Sequence, residues 1–193
     1  QIGFRAALPV LPYREPKIIE SCLKLDNVFK KENIKSVLIV TDKGIVSNGL
    51  VTPVIDVFKK NNIKYIIFDK TQPNPTVKNV EEALSVYKAN NCDCLISIGG
   101  GSSMDCAKAL GARVAYPKKT VGQMKGILRV LRKLPTLIAI PTTAGTGSEV
   151  TLASIITDSE KQHKYALMSF PLIPRYAVDR KSTRLNSSHT VIS

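Results

Sequence analysis

Residues 97–108 read SIGGGSSMDCAK, the end of an apolar strand running into three consecutive glycines and then into a helix-forming stretch. Gly99, Gly100 and Gly101 can take backbone angles barred to other residues, and without side chains they let main-chain N–H groups approach a ligand closely. Ser102 stands where a helix N-cap is expected. Asp105, three residues on, is spaced to reach back to the cap N–H in the manner of a capping box. The positive end of such a helix faces whatever occupies the turn, and a pyrophosphate is the natural anion to sit there. A structural tight turn is the competing reading of the glycines alone. The spacing is not G-x-G-x-x-G, and the turn follows about the third strand of the chain rather than the first.

Working outward from this turn, apolar periodicity alternates between helix and strand. Ile18, Cys22, Leu25, Val28 and Phe29 share one face of a helix expected over 18–31, followed by the strand SVLIVTD at 36–42. A helix at about 48–60, the strand IKYIIFD at 63–69, a helix over 76–90, the strand CDCLISI at 92–98 and a helix over 102–113 continue the series. Asn61-Asn62 and Asn90-Asn91 stop their helices. Runs such as VLIV and YIIF, apolar without alternation, are expected where helices cover both faces of a sheet, so the fold class is α/β with a doubly wound parallel sheet. TLIAIP at 136–141 is a further strand, and TLASIITD with KYALMS forms a β-hairpin turning at residues 159–162. The α/β domain is expected over 1–179. The Ser/Thr-rich stretch RKSTRLNSSHTVIS at 180–193 has no amphipathic period and is read as a disordered tail foreign to it.

With 193 residues and 44% apolar content, the chain can bury one core. No stretch reaches the roughly 18 uncharged apolar residues a bilayer span requires, and Arg5, Pro9 and Pro12 interrupt the N-terminus where a signal peptide needs an unbroken apolar run. Cys22, Cys92, Cys94 and Cys106 lie in apolar surroundings without metal-ligand spacing, which fits reduced thiols in a cytoplasmic protein with no membrane partner. The net charge of +13 invites a nucleic-acid reading. Its lysines, however, recur near helix ends and loops with few aromatics between them, the pattern of a solvated surface. Only YPKKT at 116–120 with LRVLRK at 128–133 forms a local basic patch, placed to edge a site for an anionic cofactor.

A second loop, IPTTAGTGSEVT at 140–151, groups the hydroxyls of Thr142, Thr143, Thr146, Ser148 and Thr151 around two glycines immediately after a strand. Hydroxyls there can hydrogen-bond phosphate and ribose without bulk. Together with GGGSSMDCAK, this loop resembles the iron-containing alcohol dehydrogenase family, a relative of glycerol dehydrogenases and dehydroquinate synthases. The likeness extends to VLIVTD, QPNPT at 72–76, KYALMS and LIPRYAVD at 172–179.

That resemblance implies the dehydroquinate-synthase-like N-terminal domain of an NAD-dependent enzyme interconverting an alcohol with an aldehyde or ketone. It implies that Asp42 binds the adenosine ribose and disfavours a 2′-phosphate, with Asn74 contacting the cofactor from the next loop. Helix capping is the plainer reading of Asp42. Gly99, Gly100, Gly101 and Ser102 would hold the pyrophosphate. Thr142, Thr143, Thr146, Ser148 and Thr151 would line the path toward the nicotinamide, and Lys164 would reach its ribose. In the family, one Asp and three His of a helical second domain bind Fe²⁺ or another divalent ion, and full-length members associate as homo-oligomers. Those ligands would lie beyond residue 179, so the chain is expected to be a truncated half, without catalytic or metal-binding residues of its own. A glycerol-dehydrogenase-like sister enzyme and a stand-alone nucleotide-binding module, or a basic nucleic-acid binder, remain open alternatives.

Overall fold

Strands that are apolar at every position must be covered on both faces, and the centre of the molecule obeys this. The structure, a computed structural model, describes residues 14–143 and 147–179. The expectations for Thr146 and for the tail at 180–193 lie outside the described residues. β1 (Lys17–Ile19), β2 (Ser36–Val40), β3 (Lys64–Phe68), β4 (Cys94–Gly99), β6 (Thr136–Pro141) and β9 (Tyr176–Val178) form one parallel sheet in the order β1-β9-β6-β4-β2-β3. Every residue of β2 and β4 is buried.

Alternate residues of these strands enter two cores. Val37, Ile39, Cys94 and Ile96 face α1 (Leu25–Glu32) and α3 (Thr52–Lys60) through Leu25, Phe29, Val54 and Phe58. Leu38, Val40 and Leu95 face α4 (Val77–Ala89) and α5 (Gly101–Ala115) through Val80, Leu84, Cys106 and Leu110. The expected α/β class with its largely parallel sheet is therefore what forms. β3 departs in detail. It is an edge strand, so Tyr65, Ile66 and Ile67 are only half-buried.

Two helices differ from their expected extents. The stretch read as one helix over 18–31 divides into β1, a 3-10 turn at Cys22–Lys24 and α1. Lys17, Ile18 and Ile19 pair in parallel with Tyr176, Ala177 and Val178, a partner more than 150 residues away that local periodicity cannot reveal. Ser21 then caps the turn by accepting from the Leu23 N–H. Likewise the helix expected at 48–60 begins only at Thr52, preceded by the short α2 (Lys43–Ser47), because Gly49 at φ 70° breaks the run between them. Asn61 and Asn90 end α3 and α4, as the sequence indicates.

The hairpin forms as β7 (Ala153–Asp158) antiparallel to β8 (His163–Met168). It gains a third strand absent from the sequence reading, β5 (Gly126–Ile127), which pairs in parallel with β8. The main chain of Thr157 donates to Pro75 O at 2.9 Å, drawing the hairpin to the QPNPT loop. Among the described residues, no helix is long and apolar enough to cross a membrane.

Candidate functional site

The chain runs from β2 outward to β3, then returns to place β4 on the other side of β2 and continues to β6. Parallel sheets open a crevice at the carboxyl ends of their strands where the direction of winding reverses. A cleft of about 940 Å³ lies there, lined by Asp42 after β2, Asp69 to Pro73 after β3, Gly100 to Ser103 after β4, and Thr142 and Thr143 after β6. Thr41 Oγ1 donates to Ile98 O at 2.7 Å and the Thr142 N–H donates to Gly99 O at 3.0 Å, so three adjacent strand ends are laced together beneath the cleft.

At the glycine turn, Gly99 takes φ 146°, and a Cβ there would fall 2.7 Å from Ser103 Oγ, so only glycine fits. Gly100 is the N-cap of α5 and has no side chain to engage the first helical N–H groups, which leaves them available to a ligand. This corrects two expectations. Ser102 is not the N-cap but lies inside the first turn, and its Oγ accepts from the Asn74 N–H at 3.3 Å. Asp105 sits two residues too deep for a capping box, whose partner position here is Ser103. Its carboxylate is buried against the Ile155 N–H and its carbonyl accepts from Ser154 Oγ at 2.7 Å.

Asp42 is a helix cap that also lines the cleft. Its Oδ1 accepts from the Ile45 N–H at 3.0 Å as the N-cap of α2, while Oδ2 approaches within 3.7 Å of the space above Gly99 and the residue lines the cleft. Thr142 brings to the cleft a buried hydroxyl with no hydrogen-bond partner among the described residues, and Thr143 packs against Gly100. Asn74, in the left-handed region at φ 57°, accepts from Lys164 Nζ at 2.9 Å, so two residues ninety positions apart meet beside Ser102. Ser148 and Thr151 are not among the residues lining the cleft. Thr151 Oγ1 instead accepts from Lys108 Nζ at 3.0 Å and contacts Ser148 O at 3.4 Å. The basic patch at 116–133 does not edge the cleft either. Lys119 and Arg132 stack on the Tyr116 ring at 4.7 and 4.9 Å, and the lysines that do line it are Lys43, Lys70 and Lys78.

The sequence reading missed Lys108, fully buried on α5. A signal was present: a lone lysine among Cys106, Ala107, Ala109 and Leu110 falls on an otherwise apolar face. Burial lowers its ammonium to about 8, opposed by the charges of Asp105 and Glu149. Burial raises the Asp105 carboxyl to about 6, opposed by the Ile155 N–H and Lys108. The folded chain thus holds the Asp105 proton more tightly than the unfolded one, so the resulting stability is present at low pH and is lost as pH rises from 3.8 through about 6. Asp105→Asn cannot ionise. Its denaturation midpoint should therefore exceed the native chain's by an amount that grows between these pH values and then levels off. A difference constant from pH 4 to 7 would contradict the assignment. The Cys106 thiol, pushed up to about 12 by burial, is no nucleophile near neutral pH.

Residues 19–180 match the iron-containing alcohol dehydrogenase family. A choline dehydrogenase of Bacillus subtilis (strain 168) is 42% identical over 134 residues, which is 68% of this chain and 33% of that protein. An alcohol dehydrogenase from Oenococcus oeni superposes with a TM-score of 0.84 at 30% identity, over 91% of this chain and 47% of the other. A sulfoacetaldehyde reductase from Bifidobacterium kashiwanohense, solved in complex with NAD+, gives 0.74 at 27% identity over 90% and 47%. The chain thus spans about a third of that curated relative and under half of each solved neighbour. On the match covering most of its length, together with a cleft built from the glycine turn and the hydroxyl loop, the chain belongs to the iron-containing alcohol dehydrogenase family.

Proposed function

We propose that this chain is the NAD-binding half of a metal-dependent oxidoreductase that interconverts an alcohol with an aldehyde or ketone. The observation that carries the reading is the side-chain-free start of α5 at the sheet's reversal point. Free N–H groups and the helix dipole there suit a diphosphate, and a cleft extending to both sides suits the two nucleosides attached to it. Gly99, Gly100, Gly101 and Ser102 would hold the pyrophosphate, and Asp42 the adenosine ribose. Thr142, whose hydroxyl lacks a partner among the described residues, and Thr143 would meet the nicotinamide half, with Asn74 contacting the cofactor from its loop and Lys164 reaching the nicotinamide ribose. When bound, the cofactor supplies the hydride acceptor at its nicotinamide ring.

The metal named by the family is a different matter. Among the described residues no three His, Cys, Asp or Glu side chains group to hold an ion, so no step through iron is assigned to them. We further propose that this chain alone binds nucleotide without turning over alcohol. Four buried, unpaired cysteines are in keeping with a reducing cytoplasm, and homo-oligomeric assembly belongs to the same reading for the longer relatives.

The test is direct. With no tryptophan in the chain, binding can be followed by the fluorescence of NADH itself. Saturable enhancement with NADH is expected, with NADPH about tenfold weaker because Asp42 repels a 2′-phosphate. Absence of saturable binding, or turnover of a primary alcohol by the chain with Fe²⁺ and NAD, would contradict the reading.

A further inference from the structure

Lys108 lies two turns into α5 with no exposed surface, yet its ammonium forms no direct ion pair among the described residues. Nζ donates to Thr151 O at 2.8 Å, Thr151 Oγ1 at 3.0 Å and Ala153 O at 2.9 Å. A buried ammonium is tolerated only when its protons find acceptors, and here all three do. An apolar side chain would fill the space at less cost in desolvation, so the lysine is explained by what it holds. It holds the segment returning from the hydroxyl loop into β7. Two further stitches join the same partners, Ser154 Oγ to Asp105 O at 2.7 Å and the Ile155 N–H to the Asp105 carboxylate.

We propose that Lys108 is a positioning residue that clamps the Thr151–Ala153 segment to the phosphate-binding helix, and so fixes the return of the hydroxyl-rich chain whose Thr142 and Thr143 line the nicotinamide side of the cleft. This rests on the dinucleotide reading, in which a diphosphate at the glycine turn sends one nucleoside toward Asp42 and the other toward Thr142 and Thr143. The charged groups facing the ammonium are Asp105 on its own helix and Glu149 on the loop. The protonated amine has three hydrogens for three acceptors. Above about pH 8 the neutral amine keeps two, and the clamp loosens.

Equilibrium titrations of the 193-residue chain with NADH and with ADP, from pH 6.5 to 9.5, separate the two ends of the site. ADP reports the adenosine and phosphate end, and NADH reports both. Lys108→Met should weaken NADH about tenfold while ADP stays within about twofold, since hydrogen bonds to a charged donor are lost only on the loop side. Thr151→Val, which removes one acceptor and keeps the lysine, should shift NADH in the same direction by about threefold. In the native chain the ratio of NADH to ADP affinity should fall above pH 8, and in Lys108→Met it should be flat. Equal losses of both ligands in Lys108→Met, or a ratio that falls above pH 8 in Lys108→Met as it does in the native chain, would overturn the clamp. Should Lys108→Met fail to fold, a flat native pH profile together with an unaffected Thr151→Val would overturn it instead. Failure of the native chain to bind either ligand would overturn the dinucleotide reading itself, and the clamp's role with it.

Discussion

Gly100→Asp is expected to leave the fold intact while weakening NADH binding about a hundredfold or more. Gly100 is the N-cap of α5 at φ −88° and ψ −165°, extended backbone that any residue adopts, and aspartate is among the preferred N-cap residues. The helix should therefore be as stable as before, or slightly more so. A Cβ at this position would stand 3.1 Å from Thr143 Oγ1, which the threonine can relieve by a shift of a few tenths of an ångström. Binding suffers for two separate reasons. The new carboxylate takes the helical N–H groups that a diphosphate would use, and it sets like charges about 4 Å apart in a partly desolvated cleft, where the repulsion amounts to about 4 kcal/mol. Parallel measurement of the urea midpoint and of the NADH titration checks both halves. NADH affinity within threefold of the native chain would mean that the diphosphate does not sit at this helix.

Phe58→Ala should have the opposite profile, a large loss of stability with no change in nucleotide affinity per folded molecule. Phe58 has no exposed surface and lies 5.4 Å, ring to ring, from both Phe29 and Tyr65. Truncating it removes apolar burial and leaves a cavity between α1, α3 and the sheet, at a cost of about 3–5 kcal/mol. That is a large fraction of the roughly 5–15 kcal/mol that holds a domain together. The affected core lies on the face of the sheet away from α5, so the cleft geometry is untouched while the chain remains folded. Chemical denaturation gives the size of the effect, and Leu23→Ala, at a residue 65% exposed, is the control expected to change stability by less than about 0.5 kcal/mol. A Phe58→Ala loss below about 1 kcal/mol would show that the core on this face is not close-packed.

The cleft could be read from sequence where function depends on backbone. Gly100, Gly101, Ser102, Asp42, Thr142 and Thr143 all follow strand ends, and parallel strands with right-handed crossovers bring their carboxyl ends to one edge whatever the intervening helices do. Residues whose role depends on side-chain direction were less legible. Thr151 belongs to the same hydroxyl-rich segment as Thr142, yet β7 turns its hydroxyl toward Lys108. Asp105 has a spacing suited to a cap, but the helix begins at Gly101 and carries that side chain under the hairpin instead. Asn74 and Lys164 were each suggested separately, and their contact at 2.9 Å arises because the hairpin docks on the QPNPT loop through Thr157 and Pro75.

Amino-acid order alone determined the alternation of helix and strand, the burial of β2 and β4 on both faces and the glycine turn before α5, since each follows from interactions within a few residues or from apolar content. Tertiary structure decided that Lys17–Ile19 is a strand, that Gly126–Ile127 joins the hairpin and that Lys108 faces Thr151. In each of these the deciding partner lies more than 40 residues away, and its hydrogen bonds outweigh a local preference that the periodicity of the chain does express.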